Sequence, residues 1–282
     1  MSGPTSGMAA PPPAIPLPSA GSMGGWRRTL RLLGHLTWWD MVSLYFGSWA
    51  GLLWNFVLPA IVILAYLAVF ELTPGFRFGG RDVVGGFGVN LVAGLVPWLL
   101  FQEGVARAAS AYVDNRHVLA QIPVPAPLFP LANVASATVR HVVALALFAA
   151  ILLASGMRPT AYWVLIPFLA VPLLAVTAAC AQVFACLTVL SRDVAPTVGA
   201  AMLPLFFATP VIYPPHIVPE TLRMLMDLNP LSPIVLAYRD VLVTGRLPMP
   251  GGLLYSLAFA AIVGGIATVL VRRIGPELAE RL

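Results

Sequence analysis

The 282-residue chain contains no lysine, since all 16 of its basic residues are arginine. A Walker-type phosphate-binding loop needs a lysine to reach the β- and γ-phosphates of a nucleotide. Schiff-base and pyridoxal-phosphate chemistry need a lysine amine. The chain therefore does not hydrolyse ATP through a Walker loop, and any such energy must come from a partner.

Charged residues are scarce. They make up 10% of the chain, whereas hydrophobic residues make up 59%, and the mean hydropathy is +0.89. Soluble domains carry about 25% charged residues, so this chain cannot cover a globule with solvated side chains. Its surroundings must be largely lipid. The net charge of +5 comes without a contiguous basic patch, which favours a membrane protein over a nucleic-acid-binding protein.

Cysteine and histidine offer no metal site. Cys180 and Cys186 lie six residues apart in one apolar stretch, where a helix would direct them to nearly opposite faces. We expect them to be small buried hydrophobic residues rather than a disulfide or a metal site. The four histidines fall in four separate segments without the spacing of metal ligands.

Long apolar stretches predict an all-α, polytopic membrane protein with six transmembrane helices, since about 20 apolar residues span a bilayer. The stretches cover about residues 49–70, 83–102, 131–155, 161–191, 194–219 and 247–271. Residues 1–25 are rich in Pro, Gly, Ser and Ala with almost no charge, which predicts a disordered N-terminal tail. Residues 26–282 would then form the transmembrane domain.

Three further segments are amphipathic and do not span. Residues 26–40 mix Trp and Leu with Arg, which predicts a helix lying in the headgroup plane. Two amphipathic pieces, Glu220–Leu228 and Ile234–Thr244, precede the last crossing. Prolines prevent one continuous helix over residues 210–245, so we expect a pair of short re-entrant helices on the external side.

Arginine distribution predicts the orientation. Six crossings place both termini on one side, together with nine arginines, and leave six arginines on the other side. Because arginine is enriched in cytoplasmic loops, both termini are expected in the cytoplasm and the chain in the inner (cytoplasmic) membrane.

Several short motifs follow one another in a recognisable order. They are Gly47–Trp54 with Pro59; Gly94–Trp98 with Phe101 and Glu103; Ser191–Asp193; Thr209–Pro214; Val218–Glu220; Leu228–Pro233; and Ala237–Arg239. Together they closely resemble the membrane (permease) subunit of type-2 ATP-binding-cassette exporters, in the branch that exports O-antigen, capsular polysaccharide and teichoic acid. The similarity covers about residues 27–282.

The resemblance implies a homodimer that binds two ATPase subunits and forms a channel between its membrane subunits. The substrate would be a lipid-linked polysaccharide, such as an undecaprenyl-linked glycan. This chain would be a transport subunit rather than an enzyme and would bind no cofactor itself. ATP and Mg²⁺ would bind the ATPase partner.

The resemblance also assigns roles to residues. The family places an ATPase-coupling helix in the loop after the second crossing, which here contains Asn115, Arg116, His117, Val118 and Leu119. Aromatic side chains suit a carbohydrate channel because sugar CH groups stack on π-faces. The channel or gate candidates are Trp98, Phe101, Tyr213 and Tyr238, although each could instead anchor the protein at the membrane interface.

Two charges fall inside apolar stretches at matched depth. Glu103 lies 11 residues before Asp114, and Arg140 lies 10 residues after Pro130. Antiparallel second and third crossings would place both about 15 Å from the cytoplasmic loop. We therefore expect an intramembrane Glu103–Arg140 pair, with Arg107 as the competing partner for Glu103.

Two other functions are compatible with parts of the pattern. A drug or lipid exporter of the same superfamily would share the fold but should lack the Asn-Pro-Leu-Ser-Pro and Pro-Val-Ile-Tyr-Pro elements. A membrane-embedded transferase would need a convergent set of acid, base or metal ligands. The intramembrane ionisable residues, Glu103, Arg107, Arg140 and His141, are too few for that.

Overall fold

The computed structural model describes residues 25–44, 51–72, 86–121, 124–213 and 218–281. Within these ranges the chain is helical and contains no strand, which confirms the all-α prediction. The predicted tail lies outside the described residues apart from Gly25, so its predicted disorder stays a prediction.

Eleven α-helices occupy the described ranges. The first five are α1 (Gly25–Ser43), α2 (Trp54–Leu72), α3 (Gly86–Ala108), α4 (Ala111–Asp114) and α5 (Arg116–Gln121). The others are α6 (Leu128–Ala154), α7 (Ile166–Leu190), α8 (Val194–Ala208), α9 (Glu220–Leu228), α10 (Ser232–Arg239) and α11 (Pro250–Arg281). A π-helical turn, Asp240–Thr244, follows α10 directly.

Four helical segments are long and apolar enough to span a membrane. They are Gly86–Ala108, Leu128–Ala154, Ala161–Leu190 and Pro250–Ile274. Two other predicted crossings contain shorter apolar helices, Trp54–Val69 and Val194–Ala208. The 15-residue α8 is about 22 Å long, less than the ~30 Å hydrocarbon core of a bilayer. The chain is thus a multi-pass membrane protein, and six crossings stay a prediction.

The amphipathic segments also form helices. α1 covers the predicted interfacial segment, and α9 covers the first predicted re-entrant piece. α10 and the π-helical turn cover the second piece, beginning two residues earlier than expected. None of these helices is long enough and apolar enough to be a candidate span. Their depth and side of the membrane stay predictions.

The helix α3 is the centre of the fold. It contacts α2, α6, α7, α8 and α10, and most of its side chains are buried. The pair α7 and α11 packs along a second long interface. The charged residues of α3 and α6 are thereby held inside a helical bundle.

The turn after α6 shows how the local sequence ends a helix. Gly156 adopts a positive φ of 82°, which glycine tolerates because it has no Cβ. Its N–H donates to Leu153 O at 3.0 Å, and Met157 N–H donates to Leu152 O at 3.1 Å. These bonds pair the last carbonyls of α6 and reverse the chain toward α7.

Candidate functional site

Four charged side chains form a cluster where α1, α3 and α6 meet; we call Asp40, Glu103, Arg107 and Arg140 the charged cluster. Arg107 Nη2 donates to Asp40 Oδ1 at 2.6 Å. Arg140 Nε lies 2.7 Å from Glu103 Oε1, and Arg107 Nη1 lies 3.9 Å from the same oxygen. Acids and bases thus alternate, and two carboxylates face two guanidinium groups.

The structure brings together the two residues predicted to pair, Glu103 and Arg140. Among the described residues Arg140 Nε makes no aligned hydrogen bond, so its approach to Glu103 is a contact of opposite charges. Arg107, the competing partner, is also near Glu103 but pairs more closely with Asp40. Glu103 therefore contacts both arginines rather than one.

Neutral polar side chains complete the bonding of the charged cluster. Asn133 Nδ2 donates to Asp40 Oδ1 at 2.6 Å, and the Ser136 hydroxyl donates to Asp40 Oδ2. Arg140 Nη2 donates to Ser136 Oγ at 3.1 Å, and Arg140 Nη1 donates to Asn55 Oδ1 at 3.0 Å. Because Asn55 belongs to α2, the polar groups connect four helices.

The sequence prediction did not include Asp40, Asn133 or Ser136. A signal for two of them was present, because Asn133, Ser136 and Arg140 are spaced three and four residues apart and share one face of α6. For Asp40 the signal was weaker. It is a lone acid at the end of an arginine-containing amphipathic segment.

The charged cluster lies between two cavities. A polar cleft of about 410 Å³ is lined by Trp39, Asp40, Arg107, Asp114 and Asn133, among others. A mostly apolar cavity of about 360 Å³ between α2, α3 and α6 is lined by the other members of the cluster. Arg107 lines both cavities, so it stands at the boundary between them.

A second polar site holds α10 against α3. Arg239 is 8% exposed, and its Nε donates to Asn90 O at 2.9 Å. Nη1 donates to Tyr213 O at 3.3 Å, and Nη2 donates to Val211 O. One guanidinium therefore joins α10, α3 and the segment that follows α8, through main-chain carbonyls that any sequence would offer.

Next to Arg239, a chain of hydrogen bonds crosses the bundle. His141 Nδ1 lies 3.2 Å from Val96 O, and His141 Nε2 lies 3.2 Å from the Tyr238 hydroxyl. A backbone carbonyl only accepts, so in the neutral ring Nδ1 donates to it and Nε2 accepts from Tyr238. The two rings meet edge to face at 5.7 Å. Tyr238 thereby links α10 to α6 and α3.

Three of the four predicted channel residues are buried within this chain. Trp98 packs against Phe101 and Phe206, with ring centroids 5.9 and 5.4 Å apart, and its indole N–H donates to Gln102 Oε1 at 2.7 Å. Tyr238 is completely buried. Tyr213 is partly exposed, and its hydroxyl donates to Phe207 O at 2.5 Å. A channel role for these four residues stays a prediction.

The predicted ATPase-coupling residues lie on and just before α5. Arg116 and His117 are exposed, while Asn115, Val118 and Leu119 are partly buried. Leu119 packs against a small buried cluster that includes Tyr112. Asn115 Nδ2 donates to the main-chain Ala111 O of α4 at 2.8 Å. The exposed face of α5 thus carries the Arg116 guanidinium and the His117 imidazole.

The described residues contain no group of three or more His, Cys, Asp or Glu side chains arranged to hold a metal ion. Cys180 and Cys186 are both buried, as expected from the sequence, and neither forms a disulfide.

The ABC-2 type transporter family matches residues 31–243 of the chain. The chain belongs to this family. The matched range contains the whole charged cluster, α5, and both Tyr238 and Arg239.

Individual ABC-2 relatives match over most of their length. The O-antigen export system permease protein RfbA of Myxococcus xanthus is 30% identical over 253 residues, which are 89% of this chain and 95% of that protein. A protein of the same name from Klebsiella pneumoniae is 26% identical over 217 residues, 77% of this chain and 82% of that protein. A second from Klebsiella pneumoniae is 25% identical over 84% of this chain and 90% of its own length.

Proposed function

We propose that this chain is the membrane subunit of an ATP-driven exporter that moves a lipid-linked polysaccharide across the cytoplasmic membrane. The observation that carries the proposal is the near full-length similarity to three permeases named for O-antigen export. The substrate class is therefore an O-antigen, capsule or teichoic-acid-like glycan on a lipid carrier. The chain acts as a transport subunit, and a separate subunit hydrolyses ATP.

The ATPase partner binds the exposed face of α5. The absence of lysine from the chain supports a separate nucleotide-binding subunit. The exposed Arg116 and His117 support docking at α5, because they show that one face of this short helix is accessible to a partner. ATP and Mg²⁺ bind that partner, and this chain binds no cofactor.

Two copies of the chain form a homodimer that encloses the channel, with both termini in the cytoplasm. Exposed apolar side chains on α2 and α8, which contain the two shorter apolar helices, support an assembly larger than one chain. On α2 they include Phe56 and Ile61, and on α8 they include Leu203 and Phe207. A homodimer also makes six crossings compatible with the shorter helices α2 and α8. The second copy can shield non-helical backbone that would be unfavourable in contact with lipid.

Transport of a purified substrate tests the proposal. The chain is co-expressed with its ATPase, purified and placed in proteoliposomes that contain a lipid-linked glycan accessible to an external glycosidase. ATP is expected to move the glycan to a protected compartment, and an ATPase with its Walker lysine replaced is expected to leave it accessible. ATP-driven movement of a labelled phospholipid or drug with no movement of the glycan would contradict the proposal and favour a drug or lipid exporter.

A further inference from the structure

Asp40 is the point at which the interfacial helix α1 is bonded to the bundle. Its carboxylate accepts hydrogen bonds from Arg107 of α3 and from Asn133 and Ser136 of α6. The Asp40 side chain is 13% exposed. A carboxylate with three donors from two other helices fixes the end of its own helix in position and direction.

Few side chains of α1 are buried in the bundle. Of its 19 residues, only Leu32 and Met41 are buried, and Trp26 and Trp38 are 65% and 58% exposed. Its extensive packing is against α6 rather than α3. The ion pair to Arg107 is therefore a principal attachment of α1 to α3.

Arg107 is joined to α5 by a short, continuously bonded segment. It lies in the last turn of α3, which α4 and α5 follow within nine residues. The Ser110 hydroxyl donates to Asp114 Oδ2 at 2.6 Å, and Asp114 N–H donates to Ser110 O at 2.9 Å. A displacement of α5 consequently pulls on the end of α3 at Arg107.

The polar cleft provides space for a change at this contact. Its lining includes Trp39 and Asp40 from α1, Arg107 from α3 and Asp114 from α4. Because the cleft of about 410 Å³ lies between these helices, α1 and the α3–α4 junction can move without first separating a close-packed apolar interface.

We propose that Asp40 is a positioning residue that transmits movement of α5 to the interfacial helix α1 through its ion pair with Arg107. The inference rests on the proposed function, since it takes α5 as the ATPase-docking helix. Asn133 and Ser136 keep the carboxylate oriented toward Arg107, so the ion pair holds while α3 moves.

Spin-label distances in the assembled transporter test this transmission. Cys180 and Cys186, both buried, are replaced by alanine, and Ser155 at the far end of α6 is changed to cysteine as the reference. A second cysteine replaces either Arg28 on α1 or Gln121 on α5, which lies outside the predicted ATPase-coupling residues; all three positions are exposed. Double electron–electron resonance is recorded with the ATPase bound, with and without trapped ATP.

Both distances are expected to change on ATP trapping when Asp40 is present. With Asp40→Asn the α5 distance should still change, whereas the α1 distance should lose its response. Ser43→Ala is the control, because Ser43 lines the same cleft but its hydroxyl donates to Asp40 O within its own helix, and it should keep both responses. Arg107→Gln should reproduce the effect of Asp40→Asn, and it decides the question if Asp40→Asn does not assemble.

An unchanged α1 response in Asp40→Asn or Arg107→Gln overturns the inference and leaves the proposed function intact. An α5 distance that does not respond to ATP in the starting protein overturns the docking of the ATPase at α5, and the inference with it. Loss of the α1 response in the Ser43→Ala control also overturns the inference, because the effect would then belong to the cleft as a whole.

Discussion

Arg239 of α10 lies directly against Gly94 of α3. Its Nη2 is 3.1 Å, and its Nε 3.3 Å, from the place that a Cβ atom at residue 94 would occupy. Val235 Cγ1 is also 3.1 Å from that place. The missing side chain at Gly94 is what allows a buried guanidinium to reach three main-chain carbonyls on two other segments.

Replacement of Gly94 by valine is therefore expected to displace Arg239 and destabilise the protein. Valine adds atoms beyond Cβ in a space that already requires its neighbours to shift, and such overpacking costs about 1–3 kcal/mol. Gly265→Val is the control, since nothing lies within 4 Å of a Cβ at that α11 position. Thermal unfolding in detergent should show a lower midpoint for Gly94→Val than for Gly265→Val. Equal midpoints would show that the close approach has no energetic importance.

Replacement of Arg239 by lysine or by glutamine is expected to lower both stability and export. Each carbonyl that loses its donor in a buried site costs about 1–3 kcal/mol. Lysine keeps the charge but lacks the planar fork that reaches Asn90, Val211 and Tyr213 together. Export and unfolding midpoint should fall for Arg239→Gln and fall less for Arg239→Lys. Arg246→Gln is the control, since Arg246 is exposed, and it should leave the midpoint unchanged.

Helix ends near proline illustrate what the sequence could predict. α9 spans Glu220–Leu228, the same residues that the amphipathic pattern marked, because Pro219 and Pro230 bracket the segment. The apolar run after Val194 was harder to interpret. Its helix ends at Ala208, and Thr209 is extended with ψ 137°, because the residue before Pro210 is driven out of the helical region. The residues after Ala208 are still mostly apolar, so hydropathy alone extends the predicted crossing past the point at which the helix ends.

The charged cluster was predictable only in part. Glu103 and Arg140 could be matched because both lie on long helices whose depth follows from residue counts. Asp40 could not be matched in this way, since its partners Arg107 and Asn133 are 67 and 93 residues away. The angle at which α1 crosses α6 decides that contact, and this angle depends on tertiary packing rather than on any local pattern.

Glu103 and Arg140 are expected to be energetically coupled. A lone charge at the centre of a bilayer costs roughly 2.5–3.5 kcal/mol on insertion scales, so removal of either partner leaves the other poorly compensated. Glu103→Gln, Arg140→Gln and the double variant form a cycle whose unfolding free energies should deviate from additivity by about 0.5–3 kcal/mol. Arg107 also contacts Glu103, so the Arg140→Gln variant should retain part of the stability. If Arg140→Ala leaves assembly and export intact while Glu103→Ala destroys them, the pairing has no functional role.

Opposite sides of the membrane are expected for α5 and α9. His117 and Asp227 are both exposed, so a cysteine at either position should react with a membrane-impermeant maleimide. In intact cells Asp227→Cys should be labelled once the outer membrane is permeabilised, and His117→Cys should be labelled only after the inner membrane is opened. Labelling of position 227 from the cytoplasm alone would refute the external placement of the re-entrant helices.

Acidic substitutions in α5 are expected to abolish binding of the ATPase. Val118 and Leu119 are partly buried on the free chain, and aspartate at both positions would place two unpaired charges in an apolar contact with the partner. The ATPase should then no longer co-purify with the membrane subunit. Because Leu119 also packs against a buried cluster with Tyr112, Val118→Asp is measured alone as well.

A matched pair of substitutions separates loss of docking from general damage. Leu247 and Met249 are exposed apolar residues, 66% and 84% exposed, in the segment before α11. Aspartate at these two positions adds the same charge outside α5 and should leave co-purification of the ATPase unchanged. The unfolding midpoint of Val118→Asp should stay near that of the unmodified chain, because the change acts on the partner's contact surface. Full ATPase binding and export by the α5 variants would show that α5 is not the ATPase-docking helix.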